Sequence, residues 1–302
     1  MDGILPLWKE RGMTSHDCVF KLRKILHTKK VGHGGTLDPD VDGVLPICIG
    51  KGTKIIEYLQ DSGKTYIGEI TLGFSTTTED ASGEVVAQTV IETMPLSVEI
   101  DEVMAEMVGT ITQIPPMYSA VKVNGKRLYE YAREGLEVER PQRQAEIHYF
   151  KRTSEPVAKE GTISWRFEVG CGKGTYVRTL AVDTGAKLGY EAHMSDLTRV
   201  GSGGFIAKEC FTLQDVTDLM EKEDQSFLLP IERAVTMFER LDISDEQYRV
   251  VRNGGFLVID ELALADASGM IALFHQERLI SIYAQHPTKQ AFLKPVKVLR
   301  ND

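Results

Sequence analysis

Apolar positions recur at two spacings along this chain and divide it into helices and strands. Val19, Leu22, Ile25 and Leu26 fall at helical intervals behind Thr14-Ser15-His16-Asp17, which has the form of a capping box. The pattern predicts one amphipathic helix running to about His27. Ile47 to Ile49 is a short apolar run, and Tyr66-Ile67-Gly68-Glu69-Ile70-Thr71-Leu72 reads as a strand whose period of two puts Tyr66 on the face of Ile70 and Leu72. Ser97 to Gly109 reads as a helix with a serine cap, an apolar face of Val103, Met104, Met107 and Val108, and a terminal glycine. Ile163 to Val169 alternates as a half-buried strand does, and Thr175-Tyr176-Val177-Arg178 leads a helix that ends near Gly189. From about Leu241 the texture changes to short strands, with Gly269–Phe274, Arg278–Tyr283 and Lys294–Leu299 as three of them.

Three stretches break this pattern. Gly32 to Pro46 concentrates glycines, His33 and the carboxylates Asp38, Asp40 and Asp42, while Pro39 and Pro46 argue against a helix or central strand, so a shaped loop is expected. Ile114-Pro115-Pro116-Met117-Tyr118-Ser119-Ala120-Val121-Lys122-Val123-Asn124-Gly125-Lys126-Arg127 opens a segment reaching Arg143 that mixes turn signals, an Asn-Gly hairpin pair, tyrosines and bases. Long insertions of this kind tend to be functional, and interleaved tyrosine and arginine suit base stacking and phosphate contact. The third break, Gly170-Cys171-Gly172-Lys173-Gly174, places Arg178 at a strand-to-helix junction, where α/β proteins commonly hold working residues.

Charge changes the picture in one place. The net charge of −9 argues against a general nucleic-acid coat, yet Cys18 to Leu37 contains no acidic residue and carries Lys21, Arg23, Lys24, Lys29 and Lys30. A basic face beside the glycine loop suits phosphate, and the acid collects elsewhere, as in Glu209 to Asp224. Composition, at 42% hydrophobic and 26% charged, is ordinarily globular. Cys18, Cys48, Cys171 and Cys210 form no CxxC pair, which speaks against zinc and against a disulfide framework. No segment has the length of a membrane span and no leader pattern opens the chain, so a cytoplasmic protein is expected.

The loop's chemistry has rival readings. Asp38, Asp40, Asp42 and Gly43 reproduce the opening of a calcium loop, but Ile49 stands where the bidentate glutamate is required. The glycine cluster lacks the spacing of a dinucleotide motif and no phosphate-binding P-loop occurs, which removes ATP and NAD. Asp40 and Asp42 read as turn residues. Asp38, after His33-Gly34-Gly35-Thr36-Leu37, is the candidate nucleophile or base, with Arg178 as the cation that keeps it ionised.

His33-Gly34-Gly35-Thr36-Leu37-Asp38-Pro39 with Gly43-Val44-Leu45-Pro46 resembles the active-site motif of the bacterial tRNA pseudouridine-55 synthases, the TruB family. Gly12 to Asp17, Lys64-Thr65-Tyr66, Ile114 to Lys122, Gly174 to Arg178 and Ser195-Asp196-Leu197-Thr198-Arg199 resemble further motifs of that family, in order, over the first four fifths of the chain. Glu10-Arg11 departs from a proline pattern in the first motif, and Asp42 stands where small residues are frequent.

The resemblance implies an α+β fold: a catalytic domain over 1–238 with a mixed, largely antiparallel sheet flanked by helices and loops, an RNA-binding insertion near 117–145, and a small PUA-like β domain over 239–302. It implies isomerisation of uridine 55 in the tRNA T-loop with no cofactor and no metal. Asp38 takes the catalytic role, paired with Arg178. Tyr66 stacks on the flipped base, Leu197 lines the pocket and His33 fills the vacated stack. Lys9, Lys122, Lys126, Arg127 and Arg133 are candidates for RNA contact. The T-stem-loop and acceptor arm of tRNA are the expected partner, bound by a monomer that needs no other protein. Two alternatives stay open: a non-catalytic RNA-binding protein using the same cleft, and a guide-RNA-dependent synthase working with partner proteins.

Overall fold

The computed structural model describes residues 1–262, 264 and 268–301, which divide into two compact units. One comprises Met1–Asp38, Leu45–Gln60 and the chain from Gly203 onward; the other comprises Pro39–Val44 and Asp61–Ser202.

In the first unit, strand β1 (Gly3–Lys9) is followed by helix α1 (Ser15–Ile25). The capping box forms: Thr14 Oγ1 accepts from Asp17 N–H, and the Asp17 carboxylate accepts from Thr14 N–H at 2.9 Å. Cys18, Val19 and Leu22 are buried along one side of the helix, and His27, left-handed at φ 50, breaks it. Strand β2 (Val31–His33) pairs antiparallel with the end of β3 (Asp42–Ile49), Val31 opposite Ile49 and His33 opposite Ile47. The expected loop is therefore shorter than Gly32 to Pro46. Pro46 lies inside a strand because the ladder there uses its carbonyl, which accepts from Gly34 N–H at 2.8 Å, and asks nothing of its missing N–H.

The second unit is built on an antiparallel sheet. Its strands are β4 (Lys64–Leu72), β5 (Gly109–Gln113), β6 (Arg143–Arg152), β7 (Thr162–Cys171) and β8 (Ala192–Ser202), in the order β8-β4-β7-β6-β5. Trp165, Phe167, Val169, Ile70 and Leu72 are buried along it. A second helix, α2 (Ser97–Glu106), packs near β6. Its N-cap is Leu96 rather than the expected serine: Glu99 satisfies Leu96 N–H, and Ser97 donates instead to Glu155 at 2.6 Å. Helix α3 (Val177–Leu188) lies against β8 and ends at Gly189, φ 84, where the left-handed turn requires glycine.

From Glu239 a separate five-stranded sheet begins: β9 (Glu239–Asp242), β10 (Leu257–Val258), β11 (Met270–His275), β12 (Arg278–Gln285) and β13 (Phe292–Val298), in the order β9-β11-β12-β13-β10. It has its own core of Leu241, Ile243, Val251, Ile271, Leu273, Tyr283 and Leu293. Among the described residues no helix is long and apolar enough to cross a membrane.

Candidate active site

The glycine loop owes its shape to close packing. A Cβ on Gly34 would stand 2.8 Å from Leu59 Cβ, so that position excludes a side chain, while one on Gly32 would stand 2.6 Å from Ile56 Cδ1 and would have to displace the end of that side chain. Half-buried His33 follows, and Gly35 N–H approaches its Nδ1 at 3.4 Å. Ser15, buried in the first turn of α1, accepts from Leu37 N–H at 2.9 Å and donates to Leu37 O at 3.3 Å. The residue before Asp38 is thus held at both its backbone groups by one hydroxyl. Asp38 itself is half-buried. Asp42, in the other unit, is not the expected turn residue: it opens β3 opposite Thr198 and accepts from Thr198 Oγ1 at 2.6 Å. Next to it Gly43 (φ +126) lets the β8 backbone approach, since a Cβ there would stand 2.2 Å from Arg199 O.

Lys9 corrects one expectation. It has no exposed surface, and its Nζ donates to Glu10 O at 2.9 Å and Met13 O at 2.8 Å. A buried ammonium spent on two carbonyls orders the turn into α1 and is not a phosphate contact. On α1 and the turn after it, Lys21, Arg23, Lys24, Lys29 and Lys30 are exposed, and Lys24 Nζ stands 4.5 Å from the ring of exposed Phe20.

In the second unit, buried Tyr66 on β4 sits between Val169 of β7 and Arg199 of β8. Two residues on, Gly68 pairs with Leu197, and a Cβ there would lie 3.0 Å from Leu197 Cδ1. Leu197 therefore leans into the space that Gly68 leaves, beside Tyr66. Lys64 begins the same strand; burial first, then the charges of Arg199 and Lys173, pull its ammonium down to about 8. Opposite it, burial pushes the Cys171 thiol up to about 11, which marks it as an inert core residue.

Arg178, second residue of α3, is 7% exposed and fully engaged: Nη1 donates to Thr78 O and Nη2 to Tyr118 O, both at 3.0 Å, and Asp80 Oδ2 lies 3.8 Å away. The other oxygen of Asp80 accepts from Thr78 Oγ1 (2.6 Å), Ser82 N–H (3.0 Å) and Ser82 Oγ (2.6 Å), which fixes the carboxylate in place. Neighbouring Glu79 is left-handed at φ 64 and accepts from Thr179 Oγ1 at 2.7 Å; burial raises its carboxyl above the usual range against the opposing pull of that bond and of Arg178 and Arg140.

Residues 23–177 match the TruB family pseudouridylate synthase N-terminal domain, and residues 178–236 match the tRNA pseudouridylate synthase B C-terminal domain. The chain belongs to the TruB family. It is 55% identical over its full length to tRNA pseudouridine synthase B of Bacillus pumilus, covering 99% of that protein. To the Streptococcus gordonii protein of the same name it is 56% identical, over 99% of each chain. Among solved structures it is similar to one from a Cbf5-Nop10-Gar1 complex, with a TM-score of 0.75 and 29% identity over 99% of this chain and 85% of that one. A structure of an H/ACA RNP bound to a substrate RNA containing 2'-deoxyuridine gives a TM-score of 0.73 at 27% identity, over 99% and 86%. The fold is accordingly the α+β pseudouridine-synthase fold, and a TruB-family chain is an isomerase acting on tRNA.

The segment between Gln113 and Arg143 carries the expected bases, and each has partners within the chain or faces solvent. Asn124 (φ 52) and Gly125 (φ 83) make the hairpin turn. Lys122 is exposed; Lys126 lies 4.9 Å from the Tyr131 ring and pairs with Glu134; Arg127 and Arg133 stand 5.8 and 5.3 Å from the Tyr129 ring. Sequence reasoning passed over Glu79, Asp80 and Gln113. The only signal for the first two was the polar run Thr76-Thr77-Thr78-Glu79-Asp80 ahead of Gly83, whose meaning depends on a helix that begins about a hundred residues later.

Proposed function

We propose that this chain isomerises uridine 55 in the tRNA T-loop to pseudouridine, with Asp38 as the catalytic carboxylate. The reaction breaks the C1′–N1 bond, turns the uracil and forms C1′–C5; the C5 proton leaves as N1 gains one, so nothing is oxidised, reduced or hydrolysed. It needs a base taken out of the stack and trapped, and one placed carboxylate. The observation that carries the reading is the double clamp of Leu37 by Ser15, which presents the next residue, Asp38, from a closely packed glycine loop. Tyr66 stacks on the flipped uracil, Leu197 walls it, and Arg178 supplies the fixed positive charge that a carboxylate mechanism needs. His33 takes the place the base leaves. Flipping costs a few kcal/mol, which stacking on Tyr66 and insertion of His33 offset in part.

The exposed bases of α1 and the following turn, with Lys122, Lys126, Arg127 and Arg133, contact the T-stem-loop phosphates. The sheet from Glu239 acts as a PUA-like domain on the acceptor arm, behind a catalytic domain over 1–238. The chain works as a cytoplasmic monomer with no obligatory partner and no cofactor. Purified chain incubated with an unmodified tRNA transcript, followed by pseudouridine mapping, tests this: product at the T-loop uridine is expected, and its absence overturns the reading. Product only after addition of a guide RNA and partner proteins would replace it with the guide-dependent alternative.

A further inference from the structure

We propose that Gln113 is a positioning residue that holds Arg178 and the root of the insertion as one unit. The inference rests on the reading that Arg178 serves the isomerisation. Gln113 is the last residue of β5, and the register pairs it with Arg143, so the whole insertion leaves the sheet at Gln113 and returns opposite it. Its side chain is 2% exposed and does not serve the sheet. It reaches across to the main chain of Tyr176: Nε2 donates to Tyr176 O at 3.1 Å, and Tyr176 N–H donates to Oε1 at 3.0 Å.

Tyr176 is the N-cap of α3 and has no side-chain cap of its own. A helix start leaves N–H groups without partners, and here a side chain from a distant strand pins the cap residue at both backbone groups. Arg178 stands two residues further on. Its guanidinium closes the circuit by donating to Tyr118 O, five residues into the insertion that Gln113 begins. The path Gln113, Tyr176, Arg178, Tyr118 and back along the chain is a closed ring of hydrogen bonds and backbone. Two ties of opposite origin, one from the insertion root to α3 and one from α3 to the insertion, cannot shift independently.

A side chain that merely filled a buried hole would explain the burial but not the bidentate match to a cap residue. Losing it would take from Tyr176 N–H the partner that Gln113 supplies, whereas Tyr176 O keeps the N–H of Leu180 at 3.0 Å. The start of α3 would then relax, and with it the guanidinium. Misplacement of a positioned group by about 1 Å costs on the order of 10²-fold in rate.

The test measures single-turnover pseudouridine formation at saturating full-length enzyme, Kd for unmodified tRNA transcript, and Tm, for Gln113→Met and Gln113→Glu. Gln113→Met is expected to slow the chemical step by about 10²-fold while Kd moves only a few-fold. Gln113→Glu, which still accepts from Tyr176 N–H, is expected to recover part of that rate. The pair is then placed in an Arg178→Ala background, where Gln113→Met should cost little more, because residues that act as a unit are not additive. A lowered Tm with an unchanged single-turnover rate, or full additivity with Arg178→Ala, overturns the proposal. Should Gln113→Met not fold, Gln113→Glu is carried through the same cycle with the same criteria. Inactive wild-type enzyme would instead refute the assigned reaction, so the two failures are distinguishable.

Discussion

The glycine loop and the insertion both carry residues assigned to RNA, yet they are held by opposite kinds of force. Around His33 and Asp38 the backbone is fixed by buried hydrogen bonds from Ser15 and by packing too tight for a Cβ at Gly34. In the insertion the cations rest on the protein's own rings and carboxylates: Lys126 on Tyr131 and Glu134, Arg127 and Arg133 on Tyr129. Exposed contacts of that type are worth about 0 to 1 kcal/mol each and are easily exchanged for a base or a phosphate. Chemistry needs a carboxylate that does not move; grip needs groups that can change partners. The difference teaches that a tightly fixed loop and a surface of exchangeable contacts lie in different parts of the chain.

The sharpest way to break this contrast is Asp38→Asn. Turnover should fall at least about 10³-fold, as when a group made essential by the mechanism is removed, while filter binding of tRNA is retained; unchanged product would take Asp38 out of its role. Ser15→Ala comes next. It removes the hydroxyl that serves Leu37, so thermal unfolding should show a loss of about 1 kcal/mol and turnover should drop with it, whereas a stable variant with full activity would show that the loop is not held there.

A smaller effect concerns Lys64, whose folded value of about 8 lies below its ordinary 10.5. Between those two values the unfolded chain binds more protons than the native one, so this group makes stability rise with pH across that window and costs stability below it. Lys64→Met should therefore gain Tm relative to wild type at pH 7 and lose that advantage as pH approaches 10.5; a pH-independent difference would contradict the buried-ammonium account. The smallest effect belongs to the insertion. Lys126→Ala should change Tm hardly at all, yet lower the salt slope of tRNA binding by about one. A large loss of stability with no change in slope would make the insertion a structural element rather than a re-formable one.

Local features were legible in the sequence because local forces made them. The capping box at Thr14 and Asp17, the Asn124-Gly125 turn and the alternation around Tyr66 and Trp165 depend on a few neighbouring residues and came out as read. The His33 to Asp38 segment was visible because its glycines have no use in an ordinary helix or strand. What stayed hidden depends on partners far along the chain. The burial of Lys9 is decided by the fold over it rather than by its neighbours in sequence, and Pro46 enters a strand because Gly34 asks only for its carbonyl. The short strands β9 and β10 have too few residues to show a period. Gln113 has no signature, and the polar run ending at Asp80 has no meaning, until the start of α3 is beside them.

The division of the chain has a consequence for its synthesis. One unit is nearly continuous, needing only Pro39–Val44 besides Asp61–Ser202, whereas the unit that holds Asp38 draws on both the beginning of the chain and everything from Gly203 onward. Strand β1, for example, takes its Ile4 and Leu229 main-chain bonds from opposite ends. On a ribosome that releases residues from the N-terminus first, the earlier unit can fold while the other waits. The unit that holds Asp38 is then completed only when translation has delivered the chain from Gly203 onward.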